Sequence, residues 1–142
     1  LNRHAEELVF AERELKVLKE LAGNKDEKEF FLNAINNLEE HLTEGTKSPL
    51  QPILFRLCAW YLLSAKKGKQ AFDRVSHFHL SNGAKIERIN WAADLSAKGI
   101  SQSAGIMVNY LYQLPHIEKN HESYTGNGEI AVSSAVSKIA KI

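Results

Sequence analysis

The side chains of this sequence that could carry chemistry are two histidines and two tyrosines, and one residue separates the members of each pair. They are His77 and His79, followed later by Tyr110 and Tyr112. An imidazole titrates near neutrality and can accept or donate a proton, and a phenol can donate a hydrogen bond. Residue type therefore favours proton transfer. On this evidence alone, however, such a histidine is more often a hydrogen-bonded structural residue, and such tyrosines line a core or a pocket.

His77 and His79 also raise the question of a metal site. On the strand predicted below, residues two apart lie on one face, so the two imidazoles could share an ion. Two ligands without a cysteine or a carboxylate at suitable spacing make a poor site. We therefore predict no bound metal.

Cys58 is the one cysteine of the chain, and it lies in an apolar stretch. We predict a small buried hydrophobic residue there rather than a nucleophile. A single cysteine excludes an internal disulfide and indicates a reducing compartment. Together with the lack of an apolar signal segment at the N-terminus, this predicts a cytoplasmic protein.

The elements that position the histidines are predicted to be two strands joined by a tight turn. Asn82-Gly83 between two strand-like runs is the strongest short-range signal for a β-hairpin, because both central residues of a type I′ turn need positive φ. With this turn, Leu80 faces Lys85 and His79 faces Ile86. Alternation along the strands then places the following residues on one face: His77, His79, Ser81, Ala84, Ile86, Arg88 and Asn90.

The remaining hydrophobic periodicity predicts an α+β fold in which three helices precede a small, mainly antiparallel sheet and a C-terminal helix. The predicted helices cover residues 4–22, 26–42, 49–65 and 128–141, the strands cover 76–81, 84–91 and 105–112, and the longer loops cover 43–47, 68–76, 92–103 and 115–122. The helix at 49–65 is apolar on nearly every side and needs more packing partners than this chain supplies. We therefore expect an incomplete domain.

Composition and charge exclude several classes of protein. Apolar residues make up 44% of the 142 residues, which is enough for a core. The 18 basic and 17 acidic residues nearly balance, and the clustered positive face of a nucleic-acid-binding protein is absent. No stretch approaches the roughly 18 apolar residues of a membrane span. We predict neither nucleic acid nor membrane as a partner.

Several blocks of the sequence resemble malonyl-CoA decarboxylase, in order and with compatible spacing from about Pro49 to the C-terminus. The blocks are Arg56-Leu57-Cys58-Ala59-Trp60-Tyr61-Leu62, Phe78-His79-Leu80, Asn82-Gly83-Ala84, Arg88-Ile89-Asn90-Trp91, Ala93-Asp94, Gly99-Ile100, Ser103, Gly105, Met107, Asn109-Tyr110, Tyr112, Ser123-Tyr124 and Gly126. The first 45 or so residues match only in being helical with a polar face. The resemblance implies that residues 1–142 form the C-terminal portion of one catalytic domain, built like the GNAT acyl-CoA acetyltransferases, with 1–47 as a helical hairpin and 48–142 as part of the GNAT-like core.

The resemblance also implies a reaction and its residues. Malonyl-CoA would lose CO₂ to give acetyl-CoA, a reaction of fatty-acid metabolism that needs no cofactor because the thioester itself delocalises the charge. His79 falls on the family histidine that acts with a serine, and Tyr112 falls on a family tyrosine near the substrate. Asn90 and Asn109 are weaker candidates for contacts with the substrate.

Two parts of the family site have no match in this sequence. The serine partner belongs to a Ser-Pro stretch upstream, and the glycine loop that binds the pyrophosphate is missing too. Gly126-Asn127-Gly128 is predicted to be a turn or a helix start. We therefore expect the remainder of the same polypeptide as a partner and an inactive isolated chain. The resemblance also implies homo-oligomers of the full-length protein.

Three alternatives stay open. The fold also suits a GNAT-type acyltransferase, and a helical hairpin with a small sheet could be a non-catalytic interaction module. The basic run Lys66-Lys67-Gly68-Lys69 fits a solvated helix end, where cations suit the helix dipole, but it could instead contact an anion such as a CoA phosphate.

Overall fold

The structure, a computed structural model, describes residues 10–36, 50–90 and 106–141. These residues form two compact units, the first made of 10–36, 50–54 and 106–107 and the second of 55–90 and 108–141. Helices and small sheets are both present, which confirms the α+β class. The GNAT-like architecture and the boundary at 47/48 stay predictions. The loop at 43–47 and the irregular segment at 92–103 lie outside the described residues.

The first unit contains two helices, α1 (Glu12–Ala22) and α2 (Glu27–Asn36). Gly23 ends α1, and the Asp26 carboxylate accepts the Glu29 N–H at 3.1 Å to start α2. Leu18 and Phe31 are completely buried. Their burial indicates that the apolar stripes hold the two helices together, and it confirms both helices over the described residues.

Helix α3 (Gln51–Ser64) matches the predicted apolar helix. Four of its large aliphatic residues are almost completely buried: Ile53, Leu54, Leu57 and Leu62. A helix that is apolar on nearly every side belongs in an interior. Within the three described stretches, no helix combines the length and the apolar composition needed to cross a bilayer.

A short antiparallel hairpin follows α3. Strand β1 (Lys66–Lys67) pairs with β2 (Gln70–Ala71), and Lys66 lies opposite Ala71. The sequence predicts a loop from residue 68, and the structure corrects this. The hairpin escapes detection because each strand has only two residues, which is too short for an alternating pattern.

The predicted strand at 76–81 is wrong, because these residues form helix α4 (Arg74–Ser81). Asp73 is its N-cap, and its carboxylate accepts the Ser76 N–H at 2.9 Å. Gly83 has φ 89°, and the N–H groups of Gly83 and Ala84 donate to the carbonyls of Leu80 and His79. This is a Schellman motif, so Asn82-Gly83 ends a helix instead of joining two strands.

Strands β3 (Lys85–Asn90) and β4 (Met107–Leu111) form a two-stranded sheet and confirm the two later strands of the prediction. Ile86 of β3 is completely buried and also forms a parallel bridge with Val132. Strand β3 follows α4 directly in the chain, and β4 lies beside β3 in the sheet. Strand β4 therefore brings the two tyrosines close to the helix that carries the histidines.

The predicted loop at 115–122 is also wrong. A 3₁₀ turn (Leu114–His116) leads into helix α5 (Ile117–Asn127), and the final helix, α6, covers only Ser134–Ile139. Among the residues of α5 only Tyr124 is buried, so the sequence carries no apolar stripe that would have predicted this helix. Gly128 lies after its end with φ 70°, and thus Gly126-Asn127-Gly128 ends a helix rather than starting one.

Candidate active site

His79 lies on α4 against the two tyrosines of the predicted site. Its Nδ1 atom is 2.6 Å from the Tyr112 hydroxyl, and its ring stacks on Tyr110 with centroids 4.3 Å apart and planes 20° apart. Tyr110 and Tyr112 share one face of β4 and its continuation, as alternation along a strand requires. The imidazole of His79 is therefore held by a hydrogen bond with Tyr112 at its edge and by the stacked Tyr110 ring against its face.

A buried hydroxyl fixes Tyr110 in turn. Ser76 is completely buried, and its Oγ atom is 2.5 Å from the Tyr110 hydroxyl. Burial raises the pKa of Tyr110 to about 12, so this phenol stays protonated at neutral pH. Tyr110 consequently meets His79 as a neutral ring anchored at its far end.

Asp73 connects the Ser76–Tyr110 pair to the start of α4. One carboxylate oxygen accepts the Ser76 N–H, and the other lies 3.5 Å from the Tyr61 hydroxyl, which donates to it. The N-cap thus fixes the turn that carries Ser76, and the next turn carries His79.

His77 does not share a face with His79, which corrects the predicted arrangement. On a helix, residues two apart point about 200° from each other. His77 instead contacts Tyr124 of α5, with its Nδ1 atom 2.7 Å from the Tyr124 hydroxyl. The two imidazoles therefore belong to different environments, and the shared metal considered above has no geometric basis.

The side chains of Asn90 and Asn109 form a hydrogen bond with each other. The side-chain amide of Asn90 donates to the Asn109 carbonyl oxygen at 3.0 Å, across the β3–β4 pair. Asn109 precedes Tyr110 on β4 and so points to the opposite face of the strand. Their role in substrate binding stays a prediction.

Sequence reasoning misses His121, which lies on α5. Its Nδ1 atom is 2.6 Å from the carbonyl oxygen of Ser81, the last residue of α4. A carbonyl only accepts, so Nδ1 carries the proton and donates. Nearby, the Asn120 side chain donates to the Gly83 carbonyl at 3.2 Å. Both contacts fix the end of α4, and finding them required α5 to be known as a helix.

Cys58 is half-buried on α3 rather than fully buried as predicted. Burial raises the pKa of its thiol to about 12. A thiol with so high a pKa is almost entirely protonated at neutral pH and is a poor nucleophile. The thiol is therefore not a candidate for the chemistry of this site.

The arrangement defines a class of site: a single imidazole, oriented by a phenol, on a short capped helix beside a small sheet. Such a site can move a proton to or from a bound substrate. The model of the family described as malonyl-CoA decarboxylase C-terminal domain matches residues 6–142. The chain therefore belongs to the malonyl-CoA decarboxylase family.

Individual relatives agree with this assignment. The chain is 39% identical over 128 residues to the mitochondrial malonyl-CoA decarboxylase of Rattus norvegicus, a match that covers 90% of this chain and 26% of the relative. The corresponding protein of Anser anser anser is 38% identical over 128 residues, covering 90% of this chain and 25% of that one. The chain thus spans about a quarter of the length of these curated relatives.

Solved structures give the same result for the fold. The crystal structure of malonyl-CoA decarboxylase from Cupriavidus metallidurans matches with a TM-score of 0.76 and 30% identity, over 96% of this chain and 33% of that one. The structure of the Rhodopseudomonas palustris protein matches with a TM-score of 0.68 and 33% identity, over 97% of this chain and 29% of that one.

Proposed function

We propose that the protein containing this chain decarboxylates malonyl-CoA to acetyl-CoA and CO₂, with His79 as the proton donor. The observation that carries the proposal is the His79 imidazole, fixed by the Tyr112 hydroxyl and the Tyr110 ring in a chain of this family. An oriented imidazole with a pKa near neutrality is well suited to protonate a carbanion.

The reaction begins when the bond between the carboxylate and the α-carbon breaks and CO₂ leaves. The electron pair moves onto the thioester oxygen as an enolate, which needs hydrogen-bond donors around it. The α-carbon then takes a proton. Because the thioester accepts the charge, the proposal requires no cofactor.

The geometry of His79 suits the last step. In the imidazolium form, Nδ1–H donates to the Tyr112 oxygen, and Nε2–H is directed away from Tyr112 on the other side of the ring. Transfer of the Nε2 proton to the α-carbon leaves a neutral imidazole, which regains a proton from water. His79 is paired in this proposal with a serine outside this chain.

The wider setting belongs to the same proposal. It includes a GNAT-like catalytic domain completed by the rest of the polypeptide, homo-oligomers of the full-length protein, a role in fatty-acid metabolism, and substrate contacts from Asn90 and Asn109.

We also propose a cytoplasmic location. The curated relatives carry "mitochondrial" in their names, so fractionation of cells expressing the full-length protein tests this point directly.

Product analysis tests the reaction itself. The full-length protein is incubated with malonyl-CoA labelled in its free carboxylate, and released CO₂ and acetyl-CoA are measured together. We expect equal amounts of the two products. Transfer of an acyl group to an amine without release of labelled CO₂ would identify an acyltransferase instead, and no turnover at all would favour an interaction module.

A further inference from the structure

The side of α4 that carries His77 borders a pocket separate from the His79 site. The pocket has a volume of about 580 Å³, which is in the range of small-molecule sites. It lies between the β1–β2 hairpin and α5 and is lined by Lys67, Gly68, Lys69, Gln70, His77, Tyr124 and Thr125. The proposed decarboxylation uses none of these residues.

The walls of the pocket are held in place by three contacts. The Ala71 N–H donates to the Tyr124 hydroxyl at 2.9 Å, and the Lys66 ammonium donates to the Gly128 carbonyl at 3.1 Å. Gly128 also packs closely against the hairpin, since a Cβ atom there would lie 2.6 Å from the Lys69 carbonyl oxygen. The hairpin is therefore fixed on the end of α5, and the pocket exists before a ligand arrives.

The His77 ring can add a donor to the lining. The Tyr124 oxygen accepts the Ala71 N–H and lies 2.7 Å from His77 Nδ1, so the Tyr124 hydroxyl can give its own proton to that atom. In this tautomer of the neutral imidazole, Nδ1 accepts and Nε2 carries the proton. His77 then offers an N–H donor without needing a positive charge.

The charge of the lining has one sign. Lys67 and Lys69 are exposed on the hairpin, while the described residues that line the pocket include no carboxylate. The Lys69 ammonium reaches the Gly126 carbonyl only at 3.5 Å, a long contact that an anion can replace. Two ammonium groups beside a ring N–H form a set of donors suited to an oxyanion.

We propose that this pocket binds the phosphate group of a phosphorylated small molecule. Phosphate offers several acceptor oxygens and up to two negative charges, which matches two lysines and one N–H. The volume exceeds that of inorganic phosphate, so there is room for the organic part of the molecule. The phosphate comes either from the CoA end of the substrate, a source that rests on the proposed function, or from a separate phosphorylated effector.

The test measures binding to the full-length protein by calorimetry, with adenosine 3′,5′-bisphosphate as the probe. The variant is the double substitution Lys67→Gln and Lys69→Gln. The control is Lys119→Gln with Lys138→Gln, which removes two charges from the same unit outside the pocket. We expect the Kd to rise at least ~10-fold in the first variant and less than ~2-fold in the control, because charge-assisted hydrogen bonds are lost only in the first. Equal affinity in both variants, or no binding to the unsubstituted protein, overturns the proposal.

Kinetics with two substrates identifies the source of the phosphate. If the substrate supplies it, the probe competes with malonyl-CoA, and the Lys67→Gln, Lys69→Gln variant raises KM for malonyl-CoA but not for malonyl-pantetheine, which has no phosphate. If a separate effector supplies the phosphate, the Lys67→Gln, Lys69→Gln variant binds the probe more weakly while its KM values for both substrates stay the same. Either result supports the pocket, and the calorimetry remains decisive even if the protein releases no CO₂.

Discussion

At the scale of single residues, the candidate site depends on what each side of the His79 ring contacts. The Tyr112 hydroxyl forms a hydrogen bond with one ring nitrogen, and the Tyr110 ring stacks on one ring face. The buried Ser76 hydroxyl forms a hydrogen bond with the Tyr110 hydroxyl. Tyr112 is 43% exposed and Ser76 is completely buried, so the two hydroxyls have different consequences when they are lost. We expect loss of the Tyr112 hydroxyl to affect turnover and loss of the Ser76 hydroxyl to affect stability.

Replacing His79 should reduce turnover more than binding. We expect His79→Asn in the full-length protein to lower kcat by roughly 10²–10⁴, the contribution of a positioned acid–base group. KM should change little, because proton donation acts in the transition state. Steady-state kinetics checks this, with His116→Asn as a control at an exposed histidine of the 3₁₀ turn. Near-full kcat in His79→Asn would exclude His79 as the donor.

Tyr110 and Tyr112 should respond in opposite ways to loss of the hydroxyl. Tyr110→Phe keeps the ring on His79 but leaves the buried Ser76 hydroxyl without this partner, which costs about 1–3 kcal/mol of unfolding free energy. Tyr112→Phe removes a hydrogen bond from an exposed pair, so stability changes by less than ~1 kcal/mol while kcat falls. Denaturant titrations and kinetics on both variants test this, and a reversed pattern would contradict the assignment.

At the scale of elements, the sequence predicts α1, α2, α3, β3 and β4 but misses the two helices around the site. It predicts a strand in place of α4 and a loop in place of α5. The reason for α4 is local: Asn-Gly suits both a hairpin turn and a helix C-terminus. Asp73, three residues before Ser76, was the signal that could have decided for a helix, because it is an N-cap residue at the right spacing. Helix α5 gives no such signal, since its one buried side chain is Tyr124.

The candidate residues survive this error because the resemblance, not the strand, identifies them. His79 and Tyr112 are predicted by their family blocks, and they do form a hydrogen bond. The predicted neighbours of His79 are wrong, however, because they follow from strand pairing. The roles of Ser76, Tyr124 and His121 could not be found from sequence, since they depend on which helices and strands pack together.

Gly83 provides a test of the corrected element. Its φ of 89° strains any residue with a Cβ, and an added Cβ would also meet the carbonyl oxygen of Ile117 at the start of α5. We expect Gly83→Ala to lower the unfolding free energy by about 2 kcal/mol or more.

Gly126→Ala is the matched control for this substitution. Gly126 lies in the last turn of α5, and the space that an alanine methyl group would occupy is open, so alanine there should be neutral or stabilise by up to about 1 kcal/mol. Chemical denaturation of both variants gives the comparison. Equal stability of the two would argue against the Schellman motif at Asn82-Gly83.

At the scale of the whole molecule, every predicted site residue lies in the second compact unit. Helix α4 separates two environments there, His79 with the tyrosines of β4 on one side and the pocket at His77 on the other. The enolate formed in the proposed reaction also needs donors near the thioester oxygen. The chain spans about a quarter of its curated relatives, and the serine partner in the proposal lies outside it.

The isolated 142-residue chain should therefore hold the proton donor without the rest of the machinery. Residues that act as one unit are strongly non-additive, and loss of one member can cost as much as loss of all. We expect the purified chain to release CO₂ from malonyl-CoA at least ~10³-fold more slowly than the full-length protein, the scale of losing such a partner or an oxyanion donor. The measurement is labelled CO₂ release at equal molar concentrations, with circular dichroism to establish that the chain is folded. A folded chain with turnover close to that of the full-length protein would place the complete catalytic machinery within these residues.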